Sequence, residues 1–158
     1  RVVADGGRIF ICGNGGSAAD AQHFAAELVG RFELERRAVP AIALTTDTSI
    51  ITAVANDYSF DTIFSRQLAG LAQPGDALIA LSTSGNSGNV LSALDTADEL
   101  DLVTVVLSGG SGGKIKGRAD YEVVVPADNT ARIQEAHGLM LHFFAHVIET
   151  TIEKEENV

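Results

Sequence analysis

His23 and Glu27 stand four residues apart, with Phe24-Ala25-Ala26 between them. On a helix that spacing puts both side chains on one face, one turn apart. A helix that starts at a ligand site could point such an imidazole and carboxylate into it, and the two can hold a metal if further ligands converge. An exposed ion pair is the plainer outcome of the same spacing. Further donors cluster toward the carboxyl end: Gln134, Glu135, His137, His142 and His146, so three of the four histidines fall in one stretch. Phe143, Phe144 and Val147 around His146 suit a flank of a packed helix, and nothing in the sequence distinguishes His137. Gln134 and His142 are eight residues apart, roughly 12 Å along a regular helix. One site can take both only through long side chains, a local irregularity or a second subunit.

Anion binding is the other chemistry on view. Cys12-Gly13-Asn14-Gly15-Gly16-Ser17 follows the apolar run Ile9-Phe10-Ile11, and Ser82-Thr83-Ser84-Gly85-Asn86-Ser87 follows Ala77-Leu78-Ile79-Ala80-Leu81. Each reads as strand, tight turn and helix start, an arrangement that offers backbone N–H groups, hydroxyls and a helix dipole to an anion. Two such loops in one chain point to a phosphorylated ligand at the carboxyl ends of a parallel sheet. A dinucleotide site fits poorly. Gly13, Gly15 and Gly16 are followed by Ala18 where a third glycine belongs, and no acidic residue closes the second strand at Ala43-Leu44-Thr45. Arg31 can meet a phosphate or a sugar hydroxyl, or be an ordinary surface arginine. Asn56-Asp57 can meet sugar hydroxyls, or simply end a helix. Gly109 to Gly113 is a glycine-rich loop to which no role is assigned.

The elements that must position these residues follow from periodicity. Val2 to Asp5 read as the end of a helix closed by Gly6-Gly7. A helix is expected from Ser17 to Val29, with Ser17 as its N-cap and Asp20 in its first turn. A strand follows at Ala41–Leu44, then helices near Ser49–Ala55 and Phe60–Leu71. Strands at Ala77–Leu81, Val103–Leu107 and Tyr121–Val125 flank a helix from Asn89 to Leu100. A long helix runs from Thr130 to about Glu153. Continuous apolar strands alternating with helices predict a doubly wound α/β fold with a parallel sheet covered on both faces.

The 158 residues suffice for one domain with a sizeable core, and 46% of them are hydrophobic. A formal charge of −10 without a basic run disfavours nucleic acid and membrane surfaces as partners. A phosphate must then be held by local dipoles. The single cysteine, Cys12, excludes an internal disulfide and suits a reducing compartment, the cytoplasm. No apolar run has transmembrane length.

In combination these stretches resemble the sugar isomerase (SIS) domain family and, within it, the phosphoheptose isomerases. The residues that carry the resemblance are the two loops, His23 to Arg31, Ala41 to Asp47, Asn56-Asp57-Tyr58, and Ala131 to His137. It covers essentially the whole chain, 1–158, as a single SIS domain. It implies a five-stranded sheet of flavodoxin-like order and a homotetramer with active sites between subunits. It also implies an N-terminal helical segment ahead of the first strand, expected to be missing here.

By the same resemblance Asn14, Gly15, Gly16, Ser17, Ser82, Thr83, Ser84 and Ser87 are substrate contacts, with the serine loop on the phosphate. Asn56, Asp57, Arg31, Glu27 and Gln134 join them. His23, Glu27, Gln134 and His142 match positions that bind Zn2+, and Glu27 and His142 also match the acid–base pair. The implied reaction converts sedoheptulose 7-phosphate into D-glycero-D-manno-heptose 7-phosphate through an enediolate, for the heptose of lipopolysaccharide or another surface glycan. A related SIS protein acts instead as a partner of the replication initiator. It keeps the loops but not the acid–base positions, so Glu27 and His142 favour the enzyme.

Overall fold

The computed structural model describes residues 1–156; residues 157 and 158, at the end of the expected domain, lie outside them. Five parallel strands form one sheet: β1 (Ile9–Gly13), β2 (Ala41–Ala43), β3 (Ala77–Ser82), β4 (Val103–Gly109) and β5 (Tyr121–Val125). The order is β2-β1-β3-β4-β5. This is the flavodoxin-like order, with its topological switch point between β1 and β3, where such sheets bind ligands beyond their carboxyl ends. Gly13 pairs with Leu81 across that point, so the two loops leave side by side.

Five α-helices cover the sheet: α1 (Gly16–Val29), α2 (Thr48–Asp57), α3 (Ser65–Leu71), α4 (Gly88–Glu99) and α5 (Thr130–Glu156). Alternate strand residues face opposite cores, as a parallel sheet buried on both sides requires. Phe10, Leu78 and Val106 pack with Phe64, Val90 and Leu94 on the face of α2, α3 and α4. Ile11, Ile79, Leu81 and Leu107 pack with Phe24, Leu28 and Leu141 on the face of α1 and α5. Cys12 is fully buried in the sheet, and burial pushes its thiol up to about 12, so it takes no part in thiolate chemistry.

Several sequence expectations need correction. The expected helix over 60–71 is a single 3-10 turn, Phe60–Thr62, followed by the short α3. Residues 2–6 form hydrogen-bonded turns rather than a helix end. Ser17 does not cap α1. The N-cap is Gly15, and Ser17 is buried in the first turn, where a Cβ on Gly13 would stand 2.8 Å from its own. Asp20, the fifth residue of the helix, lies beyond that first turn.

Two charge clusters tie the chain together, one where β1 and β3 begin and one fully buried between α5 and the end of α1. Asp76, on the turn before β3, accepts from the N–H groups of Arg8 (2.8 Å) and Gln73 (2.9 Å), and its carboxylate pairs with Arg8 Nη2 at 2.9 Å. Glu149 of α5 accepts three successive N–H groups, from Phe32 (2.7 Å), Glu33 (2.9 Å) and Leu34 (3.0 Å). Its Oε1 lies 3.3 Å from Arg36 Nε, with both side chains fully buried. The Arg36 guanidinium donates to the carbonyls of Glu27, Leu28, Gly30 and Arg37, closing the end of α1.

Burial alone would raise both carboxyls, but the bonds just named outweigh it and hold each below its ordinary value. A carboxyl depressed in the folded state stabilises the fold fully above its unfolded pKa and ceases to do so as pH falls through the folded value. From these two groups the melting temperature is expected to be level above about pH 5 and to fall progressively below it. Asp76→Asn and Glu149→Gln should each flatten that acid-side fall. An acid limb unchanged in both variants contradicts the assignment.

Candidate active site

At the switch point the loop after β1 bends through Gly15, whose φ of +56° and ψ of −119° suit glycine alone. The loop after β3 is held from behind. Gly85 has φ +66°, and a Cβ there would fall on the carbonyl of Gly112. Ile115 N–H donates to the Gly85 carbonyl at 3.0 Å, and Lys114 N–H to Asn86 Oδ1 at 3.1 Å. The Gly109 to Gly113 stretch is therefore a backrest for the serine loop, and a Cβ on Gly113 would stand 2.6 Å from the carbonyls of Ser84 and Gly85.

The two loops are also joined to each other. Asn14 and Asn89 exchange amide hydrogen bonds in both directions, each 2.8 Å, and Asn89 is buried. Sequence reasoning missed Asn89, which reads as an ordinary helix starter. α2 begins on a side-chain cap from Asp47, and Asn129 Oδ1 accepts from the first-turn N–H groups of α5. α1 and α4, which start at the loops, have no side-chain cap. Ser87 turns its hydroxyl to Ser82 instead, at 3.2 Å. Uncapped N–H groups and serine hydroxyls on two adjacent helix starts can receive an anion. Asp61 reaches the first residue of α4, where a Cβ on Gly88 would stand 2.5 Å from its Oδ1. Asn56 and Asp57 close α2, a few residues before Asp61; Asn56 donates to Asp57 at 2.8 Å and both are exposed.

α1 and α5 run side by side in the same direction, so residues far apart in sequence meet along them. Near the start, Gln134 Nε2 donates to Asp20 Oδ1 at 3.3 Å, and its amide lies against Gly16. Further along, His23 Nε2 stands 3.0 Å from His142 Nε2 and 3.2 Å from Glu27 Oε1. Donor atoms of His23, Glu27 and His142 all lie within 4.8 Å of one another. Tetrahedral nitrogen and oxygen ligands at about 2.0–2.1 Å from a zinc ion would stand about 3.3 Å apart, so this trio fits a metal of that size. Gln134 sits about one helical turn before His23, toward the start of α1. His142 stacks on Phe32, with ring centroids 5.3 Å apart and planes at 26°.

The remaining candidates are placed elsewhere. Arg31 is exposed and lies 4.0 Å from Glu35, about 20 Å along α1 from the loops. His146 is exposed and faces Glu33 at 3.5 Å. His137 is fully buried, with Nε2 3.0 Å from the carbonyl of Ser108. Burial lowers its pKa more than that bond and the Asp20 charge raise it, so it stays neutral and structural.

A five-stranded sheet of this order carries two glycine- and serine-rich turns at its switch point, and the SIS domain family matches residues 1–109. The chain is 54% identical to a phosphoheptose isomerase of Shewanella loihica over 99% of its own length and 81% of that protein. The solved phosphoheptose isomerase of Neisseria gonorrhoeae superposes with a TM-score of 0.87 at 48% identity, covering 94% of this chain and 79% of that one. That of Francisella tularensis gives a TM-score of 0.90 at 45% identity, over 93% and 78%. The chain belongs to the phosphoheptose isomerase family of SIS domains and is a sugar-phosphate isomerase.

Proposed function

We infer that the chain interconverts sedoheptulose 7-phosphate and D-glycero-D-manno-heptose 7-phosphate, supplying heptose for lipopolysaccharide or another surface glycan. The observation that carries this reading is the convergence of His23, Glu27 and His142 from two helices, together with the paired anion loops. Ser82, Thr83, Ser84 and Ser87 hold the phosphate, with the N–H groups around Asn14, Gly15, Gly16 and Ser17 beside them. Asn56, Asp57 and Gln134 contact the sugar, and Arg31, about 20 Å along α1 from the loops, takes no part in this reading.

Turning a 2-ketose into an aldose moves one proton from C1 to C2 through a cis-enediolate. The Glu27 carboxylate takes the C1 proton and returns it to C2. Its Oε1 faces His23, which leaves the second oxygen for the substrate. His142 moves protons between the C1 and C2 oxygens. His23, Glu27 and His142 would hold Zn2+, which when bound supplies Lewis-acid stabilisation to developing oxyanions; Gln134, held against Asp20 a turn away, does not reach this group in the structure.

A homotetramer with active sites between subunits fits two features. The His23 and Glu27 positions lie about 10–16 Å along α1 from the phosphate loops. Beside them α5 exposes Leu139, Phe143 and Val147, an apolar strip suited to a second copy. A cytoplasmic location suits the free, buried Cys12. Among the described residues no helix is long and apolar enough to cross a membrane.

The test offers the purified protein sedoheptulose 7-phosphate, fructose 6-phosphate and unphosphorylated sedoheptulose. Aldose should form from the first alone at appreciable rate; equal turnover of all three contradicts the reading. Ser84→Ala should raise KM about tenfold with kcat little changed, the worth of one hydrogen bond to a charged group. An unchanged KM removes Ser84 from the phosphate site.

A further inference from the structure

We propose that Phe32, seated by the buried Arg36–Glu149 clamp, is the positioning residue for His142. The proposal rests on the reading of His23, Glu27 and His142 as a metal-binding, proton-moving group. The segment after α1 has no regular secondary structure, yet its backbone is fixed: three successive N–H groups, those of Phe32, Glu33 and Leu34, converge on the Glu149 carboxylate. Such a concave run of N–H groups around one anion is rigid because every donor shares the same acceptor. The anion itself is held by Arg36, and both side chains are sealed from solvent.

The clamp reaches the site on two sides. Arg36 Nη2 donates to the carbonyl of Glu27 at 2.6 Å, so the backbone of one site residue is part of it. Glu149 holds the N–H of Phe32 at 2.7 Å, and the Phe32 ring lies over the His142 imidazole at 5.3 Å. His142 is thus flanked by Phe32 on a face and by His23 at its edge, where the two Nε2 atoms stand 3.0 Å apart. A ring with one face covered and one nitrogen aimed keeps its lone pair pointed at the shared site. Phe32 has no atom that can transfer a proton or bind a metal, so its effect passes through His142.

The test uses the full chain with Phe32→Leu, which keeps an apolar side chain and removes the ring, and Phe32→Tyr, which keeps the ring. Phe32→Met stands in for Leu if the latter folds poorly. Zn2+ affinity is read by competition with a chromophoric chelator, and the His142 ring resonances are read by NMR in the metal-free protein. Loss of a group that orients a metal ligand costs affinity about 10- to 100-fold. Phe32→Leu should therefore weaken Zn2+ about tenfold and average the His142 ring signals, and Phe32→Tyr should restore both. A purely structural role lowers the melting temperature and leaves both readings at the parent values, which overturns the proposal. Should the parent take up no Zn2+, the metal reading fails alone, and the His142 resonances still decide the role of Phe32.

Discussion

Glu27→Gln lowers kcat for the ketose–aldose isomerisation by about 10²- to 10⁴-fold, the usual contribution of a positioned general base. The amide keeps the size and shape of the side chain but cannot accept the C1 proton. KM should change little, because the phosphate loops bind the far end of the substrate and α1 separates them from Glu27 by about 16 Å. The metal content of the variant is measured alongside, since an amide oxygen is a weaker ligand than a carboxylate. A loss of kcat at unchanged KM places Glu27 on the proton path. Full turnover by Glu27→Gln would take it off that path.

Glu149→Ala destabilises the fold by about 3–5 kcal/mol, as removal of one partner from a buried ion pair does. The change leaves the buried Arg36 guanidinium with its carbonyl acceptors but no counter-charge, and three backbone N–H groups without their acceptor. Denaturant unfolding of the variant reads this directly. A loss under about 1 kcal/mol for Glu149→Ala, the level of an exposed pair, contradicts the clamp.

The fold was legible because its strands are continuous apolar runs and its loops carry turn chemistry. β5 has the expected bounds, and the other strands differ by only a residue or two at an end. The region over 60–71 misled because Phe60, Ile63, Phe64 and Leu68 keep helical spacing while the chain breaks into a 3-10 turn before α3. Ser17 misled because a helix-starting serine usually caps, whereas here glycine alone can take the backbone turn and the serine is pressed inward.

At the site, i, i+4 spacing alone paired His23 with Glu27. That His142 meets them depends on α1 and α5 lying in parallel register, which no local pattern encodes. Asn89, Phe32 and Arg36 with Glu149 escaped for the same reason. Each acts through a partner distant in sequence, and Glu149 reads as one more acidic residue on an amphipathic helix until its burial is known.

The central claim is that the His23–Glu27–His142 group and the twin loops together isomerise a heptose phosphate. The most direct measurement is turnover of sedoheptulose 7-phosphate by the purified chain, first stripped with a chelator and then given Zn2+, with the oligomeric state recorded in the same samples. The account predicts aldose formation that is lost on stripping and restored by about one Zn2+ per site, the stoichiometry of a single closed ligand set. A folded tetramer that never turns the substrate over, with Zn2+ or without, would contradict it.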